Sequence, residues 1–273
     1  MAKNIPERDT FLIEDSPLRW MITDDGSRTL IDACGETFHS GCGALSECLV
    51  VYLVNSGTLG RLERRLSSCV LEFGLGTCTS LLVTAAAANY FHTSVTYIGL
   101  EANVLPMVVL EQLQLPDTDF LPAELVAEFP FLTQLKDSHA QLLGVWKQVV
   151  NAALHVEAPV TRIATRVGKF VQLHVLIGDA TRFQQSWLTP ILGEGASCDA
   201  VYFDPFSPQT APMFWRRELL IEATQVLRAG GSLTSYCVKA DVRRLLSDLG
   251  LHVSKTAGPI GGKREVLIAT KPE

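Results

Sequence analysis

The sequence predicts an α/β protein on a mostly parallel sheet that ends in an antiparallel hairpin, and three observations carry that expectation. An apolar run closing at Glu72 passes through a glycine-rich turn into an alanine-rich segment and then a second apolar run closing at Glu101. That order is strand, helix, strand. Two further apolar runs, "FVQLHVLIGDA" and "CDAVYFDPFSP", read as buried parallel strands. Finally "LHVSKTAG" and "REVLIAT", joined by "PIGGK", read as a hairpin.

Taken in chain order, the first 68 residues hold short strand-like pieces and read as an amino-terminal extension packed on the main domain, 69–273. Between the second and third apolar runs, residues of about 104–168 are helical in pattern, broken by "LPDTDFLP" and "EFPF". That stretch is too long for a plain loop and too apolar for a disordered linker, so it reads as a helical insertion. After "CDAVY" come a helix ("WRRELLIEATQVL"), the turn "RAGG", a strand ("SLTSYCV") and a helix ("ADVRRLLSDLG"). A parallel sheet finishing in an antiparallel hairpin is the outline of a class I, Rossmann-like methyltransferase domain.

Composition narrows the chemistry. The 273 residues are 47% hydrophobic, enough for a sizeable core. No apolar run approaches the roughly 18 residues of a membrane span, and "MAKNIPERDT" has no apolar signal region, so a cytoplasmic protein is expected. Seven cysteines and six histidines are scattered without CxxC or HExxH spacing, so reduced thiols and no metal are expected. The net charge is −6, yet Phe214–Glu273 carries ten Lys/Arg against six Asp/Glu. A basic footprint near the carboxyl end is thereby permitted, as is an ordinary solvated surface.

The turn "LEFGLGTC" lets a ligand approach the backbone at Gly74 and Gly76. It is no phosphate loop, because no GK[ST] follows, and it lacks the third glycine of a dinucleotide fingerprint. Glu72 suits the α-amino group of S-adenosylmethionine, and Glu101, about thirty residues on, suits two ribose hydroxyls. Asp179, beside Ala180 in "GDA", faces the adenine edge on this reading; it reads equally as a helix N-cap. A tight turn alone would also explain the glycine pair.

Asp204 in "FDPFSP" closes a buried strand, where a carboxylate can accept an amine hydrogen bond and its proton. Pro205 stiffens the loop, and Phe206 offers a ring for a base to stack on. The plainer alternative is that Asp204 and Pro208 shape the turn. Asp204 is also assigned to the cofactor's edge of the site.

With these elements in register, residues 23–270 resemble the methyltransferase family that completes 5-methylaminomethyl-2-thiouridine at the wobble position of tRNA. The motifs are "TDDGSRTLIDACGETFHSGCGALSE", "LEFGLGTCTSLL", "FDPFSP", "MFW" with "LRAGGSLTSY", and "GGKREVLIA". The chain departs from the family pattern at Cys78, Ser80 and Pro205, where glycine, asparagine and glycine are usual. Fuller members fuse this domain to an FAD-dependent oxidoreductase, for which 273 residues leave no room, so the resemblance implies methylation only.

The resemblance makes tRNA the expected partner and S-adenosylmethionine the cofactor. It makes His39, Ser40 and Glu47 candidates to close over the bound ligands, with packing roles equally open. Lys263 and Arg264 become candidates for tRNA phosphates, or a charged edge that resists strand pairing. Trp215, Arg216 and Arg217 form an aromatic and basic cluster with the same two readings. Two other functions stay open: a methyltransferase or aminopropyltransferase of a small amine, and a non-catalytic cofactor- or RNA-binding protein.

Overall fold

The computed structural model describes residues 7–14, 16–116, 119, 121, 123–156, 159–259 and 261–273. Parts of the expected breaks "LPDTDFLP" and "PIGGK", and the first six residues, lie outside these. The chain starts as a three-stranded antiparallel sheet, β1 (Thr10–Leu12), β2 (Arg19–Ile22) and β3 (Arg28–Ile31). Trp20 and Leu30 are fully buried and join the main core, which fastens this sheet to the rest of the molecule.

Helix α1 (Ala44–Glu47) begins after Gly43 and so has no capping side chain of its own. The β2–β3 turn supplies the caps. Thr23 Oγ1 accepts from Ala44 N at 3.4 Å, Ser27 Oγ from Leu45 N at 3.1 Å and Asp25 Oδ2 from Ser46 N at 2.8 Å. Asp25 Oδ1 meanwhile accepts from the Thr23 hydroxyl and from both the hydroxyl and backbone N of Ser27. One carboxylate therefore closes a hairpin and starts a helix. Gly43 is required here: its φ is +148°, and a Cβ would sit 2.6 Å from Asp25 Oδ2. The helix then widens into a π-helical stretch, Cys48–Val54, followed by α2 (Thr58–Glu63).

The main sheet follows as β4 (Ser68–Phe73), α3 (Thr79–Phe91) and β5 (Val95–Glu101). Ten consecutive residues of α3, Thr79–Ala88, are buried, which the small alanines allow between sheet and outer helices. Helices α4 (Met107–Glu111), α5 (Ala123–Glu128) and α6 (Leu135–Ala153) follow β5. Leu135, Leu142, Trp146 and Val149 lie on one stripe of α6 and are buried, and Trp146 Nε1 donates to Leu105 O at 2.9 Å. Then come β6 (Thr161–Val167), β7 (Val171–Ile177), α7 (Thr189–Leu192), β8 (Cys198–Phe203), α8 (Arg217–Gln225), β9 (Leu227–Ser235), α9 (Ala240–Asp248), β10 (His252–Ala257) and β11 (Glu265–Thr270).

The eight strands run in the order β10-β11-β9-β8-β4-β5-β7-β6, parallel from β9 to β7 and antiparallel at both edges. Side chains alternate between two apolar clusters: Val70, Tyr97 and Tyr202 pack on one face, and Leu71, Ile98 and Val201 on the other. Among the described residues no helix is long and apolar enough to cross a membrane.

Two expectations need correction. Residues 161–167 are not helical but form the edge strand β6, paired with β7 along its whole length. Its outward positions, Arg162, Ala164 and Arg166, are exposed, so the strand lacks the apolar run that marks buried neighbours. The "RAGG" segment is no turn but part of β9. Gly230 at φ +69° and a register shift opposite Cys198–Ala200 mark a bulge there.

Because Asp25 holds four donors, Asp25→Ala should lower unfolding stability by about 2–3 kcal/mol. Urea denaturation should show this as a lower midpoint at unchanged slope, with Asp25→Asn losing less. A midpoint equal to wild type would remove the hairpin as the cap of α1.

Candidate functional site

The chain passes from β4 to β5 and β7 on one side and to β8 and β9 on the other, so a crevice opens at the carboxyl ends of β4 and β8. Register then decides which residues meet there. Phe73 pairs with Phe203 of β8 and Leu100 of β5, and Glu101 pairs with Ile177 of β7. The next positions along these strands are therefore neighbours: Asp204, Gly74, Glu101 and, two residues past β7, Asp179. All four line one cavity of about 870 Å³, within the range of small-ligand sites.

The glycine turn is backbone-strained in a way that favours its sequence. Gly74 and Gly76 have φ of +88° and +48°, and a Cβ on Gly76 would come 3.1 Å from the Phe38 ring. Cys78, the departure from the family pattern, also lies at φ +61°, where glycine would be easier. The Glu101 carboxylate accepts from Gly76 N at 3.1 Å and Asn103 N at 2.7 Å, which ties the turn to the end of β5. Burial raises its pKa, and these backbone donors oppose the rise.

Ala180 and Asp179 also border the cavity. Asp179 caps the following turn through Thr181 N and Oγ1, at 3.0 and 2.6 Å, so the N-cap alternative is present in the structure. Glu72 is different. It is 1% exposed, does not reach the cavity, and accepts the Tyr97 hydroxyl at 2.7 Å beneath it. Burial pushes its carboxyl up to about 8, against the Tyr97 hydrogen bond, so it is mostly neutral at pH 7 and is no counter-ion for an amino group.

Asp204 projects from the end of β8 with its side chain 5% exposed, and Oδ1 has no hydrogen-bond partner among the described residues. Burial pushes its carboxyl up to about 7; His39 opposes that rise and Glu47 adds to it. His39 Nδ1 lies 3.5 Å from Asp204 Oδ2 and 3.6 Å from Glu47 Oε1. Ser40 N donates to Glu47 at 3.3 Å, so the amino-terminal residues His39, Ser40 and Glu47 all meet the cavity.

The loop after Asp204 is braced by Tyr236, which the sequence reading does not single out, and by Trp215, expected there only as part of an aromatic and basic cluster. Tyr236 donates its hydroxyl to Pro205 O, and Trp215 Nε1 donates to Phe206 O, both at 2.9 Å. Trp215 is thus a buried brace, whereas Arg216 and Arg217 are exposed. Phe38 meets the Phe206 ring edge-on, with centroids 5.6 Å apart. Lys263 lines the cavity with Nζ 3.6 Å from the Tyr236 ring centroid; Arg264 is exposed and does not line it. Tyr236 was within reach of the sequence, since it ends the strand beside β8. Phe38 sits in the polar segment "GETFHSG" and Tyr52 in the apolar run "CLVVYLV", and neither context signals its place in the site.

Comparison with known proteins agrees with this geometry. The profile of an S-adenosyl-L-methionine-dependent methyltransferase family matches residues 140–272. The tRNA 5-methylaminomethyl-2-thiouridine biosynthesis bifunctional protein MnmC of Aromatoleum aromaticum is 30% identical over 250 residues, 92% of this chain and 35% of that protein. Its counterpart in Caulobacter vibrioides is 27% identical over 94% of this chain and 38% of its own length. The chain therefore spans little more than a third of these relatives. The solved structure of MnmC2 from Aquifex aeolicus is 26% identical and superposes with a TM-score of 0.69 over 95% of this chain and 73% of that one. A glycine turn and an acidic strand end in the same crevice, with matches along nearly the whole chain, place it plainly: the chain belongs to the S-adenosyl-L-methionine-dependent methyltransferases, in the family of the methyltransferase portion of MnmC.

Proposed function

We propose that this chain methylates the primary amine of a 5-aminomethyl group on wobble uridine of tRNA, in the cytoplasm. The observation that carries the reading is the buried Asp204 carboxylate, with one oxygen unpartnered among the described residues, in a cavity that Glu101 also lines. The names of the curated relatives, which concern tRNA 5-methylaminomethyl-2-thiouridine, support the substrate.

The residues present suit S-adenosylmethionine. Gly74 and Gly76 leave room for close approach, Glu101 is placed to accept ribose hydroxyls, and Asp179 with Ala180 borders the same cavity. When bound, the cofactor supplies an electrophilic methyl group on a sulfonium. The chain does the rest. An alkylamine, like lysine, is protonated at neutral pH with a pKa of about 10, so one proton must leave before nitrogen can attack. Asp204 accepts that proton and orients the lone pair, and near-attack geometry supplies much of the acceleration. Phe206, steadied by Phe38 and by Trp215, offers a face for the uracil, and Lys263 in the cavity lining and the exposed Arg264 beside it offer cations for phosphate.

The net charge of −6 favours a second reading, a small free amine as substrate. Incubation with labelled S-adenosylmethionine and tRNA bearing 5-aminomethyluridine, followed by nucleoside digestion, separates the two. Label in the methylaminomethyl nucleoside supports tRNA; label only in added polyamines sinks it.

Two variants probe the roles. Glu101→Ala should weaken cofactor binding by about 1.5–3 kcal/mol, roughly 10- to 150-fold in Kd, because charge-assisted bonds are lost. Calorimetry checks it, and an unchanged Kd would take Glu101 out of the site. Asp204→Asn should bind cofactor normally yet slow single-turnover methylation by on the order of 100-fold or more. A rate within about threefold of wild type at every accessible pH would mean that Asp204 only shapes the loop.

A further inference from the structure

An isolated carboxylate taken out of water tends to protonate, and two side by side do so more readily. Asp204 is such a group, raised by burial and by the nearby Glu47 charge, and the two side chains, 5% and 4% exposed, converge on one imidazole nitrogen. His39 is itself 6% exposed and is held in place by its backbone N, which donates to Thr29 Oγ1 at 2.9 Å. Its Nδ1 faces both carboxylates, and its Nε2 lies 3.7 Å from Cys48 Sγ.

We infer that His39 is a positioning residue that stays an imidazolium between Asp204 and Glu47, and so keeps Asp204 ionised to receive the proton of the substrate amine. This rests on the amine methylation proposed above. In that step the ammonium N–H bond breaks, the proton goes to an Asp204 oxygen, and the bonding pair remains on nitrogen as the attacking lone pair.

The surroundings agree in sign. Burial lowers the pKa of His39, and the hydrogen bond to Glu47 and the charge of Asp204 raise it. Burial also raises the Cys48 thiol, so sulfur stays protonated at neutral pH and the counter-charge comes from the carboxylates. The other groups around Asp204 do not replace His39. From the π-helical stretch, the buried Tyr52 hydroxyl also opposes the rise of Asp204, but less than His39 does. Glu72 of β4 and Tyr236 beyond β9 are held protonated by burial. Lys263 from the β10–β11 loop is a cation, but an exposed one resting on Tyr236, and it opposes the rise of Asp204 less than His39 does.

Ring-labelled histidine NMR on the full chain tests the inference without any substrate. His39, identified by loss of its signal in His39→Gln, should remain imidazolium at pH 7.5, where an ordinary histidine is about nine-tenths neutral. Its titration should move down in Asp204→Asn and in Glu47→Gln. A neutral ring at pH 7.5 overturns the inference. Single-turnover methylation of aminomethyl-tRNA gives the second readout, because activity should fall as pH drops through the Asp204 transition near 7. His39→Gln should move that limb up by about a unit or more, roughly tenfold in rate on its acid side, and Glu47→Gln should move it down. Shifts in the same direction, or a uniformly slower rate with an unmoved limb, would assign His39 to packing. If wild type labels no aminomethyl nucleoside, the amine reading fails, and the NMR titration still decides whether His39 carries the charge.

Discussion

A carboxylate kept out of water at the end of a central strand is the constraint on which the rest of this molecule depends. Nothing in the parallel sheet itself compensates Asp204, since β8 is flanked by apolar and neutral partners and Oδ1 has no donor among the described residues. A cation must come from elsewhere, or the group protonates. The amino-terminal layer supplies it. Its hairpin ties down α1 through Asp25, Thr23 and Ser27, α1 presents Glu47, and the loop between them presents His39. The π-helical widening that follows places Cys48 beside the imidazole and turns Tyr52 into the core, as such bulges often do at functional sites. What reads as an extension on the sheet is thus one wall of the site.

Sheet register does the corresponding work on the cofactor side. A parallel sheet allows no one-residue slip without turning every buried side chain to the wrong face. The alternation of Leu71, Ile98 and Val201 against Val70, Tyr97 and Tyr202 therefore fixes where Asp204, Gly74 and Glu101 line up. Site geometry is in this sense a by-product of core packing. The glycine turn then needs only to keep the floor clear, and the close approach of Phe38 to Gly76 shows how little space remains.

Much of this was legible in the sequence, for reasons that differ by element. The central strands are apolar runs bounded by glycine or acidic residues, so β4, β5, β7 and β8 could be read directly, and Gly74, Glu101 and Asp204 with them. Edge strand β6 could not, because in Thr161–Val167 two Thr-Arg pairs interrupt the apolar residues Ile163, Ala164 and Val167. Pairing with β7, a long-range fact, is what makes it a strand. His39 and Glu47 could be singled out as a motif, but sequence carries no distance between residue 39 and residue 204. Trp215 looked like a surface aromatic beside two arginines and is instead the brace of the Asp204 loop, because its indole finds a carbonyl inside.

Glu72 illustrates why strand-end acids must be sorted by depth and not by position alone. It precedes the glycine turn as Asp204 precedes the proline loop, yet the two sit in different surroundings. Glu72 lies below the floor and bonds Tyr97, and burial lifts it to about 8. Asp204 lies one layer higher against His39 and stays near 7. A second negative charge at Glu72 would raise Asp204 further and work against proton acceptance, so neutrality at Glu72 is part of what makes Asp204 usable. Of two carboxyls in one buried cluster, the imidazole lies against the one that faces the cavity.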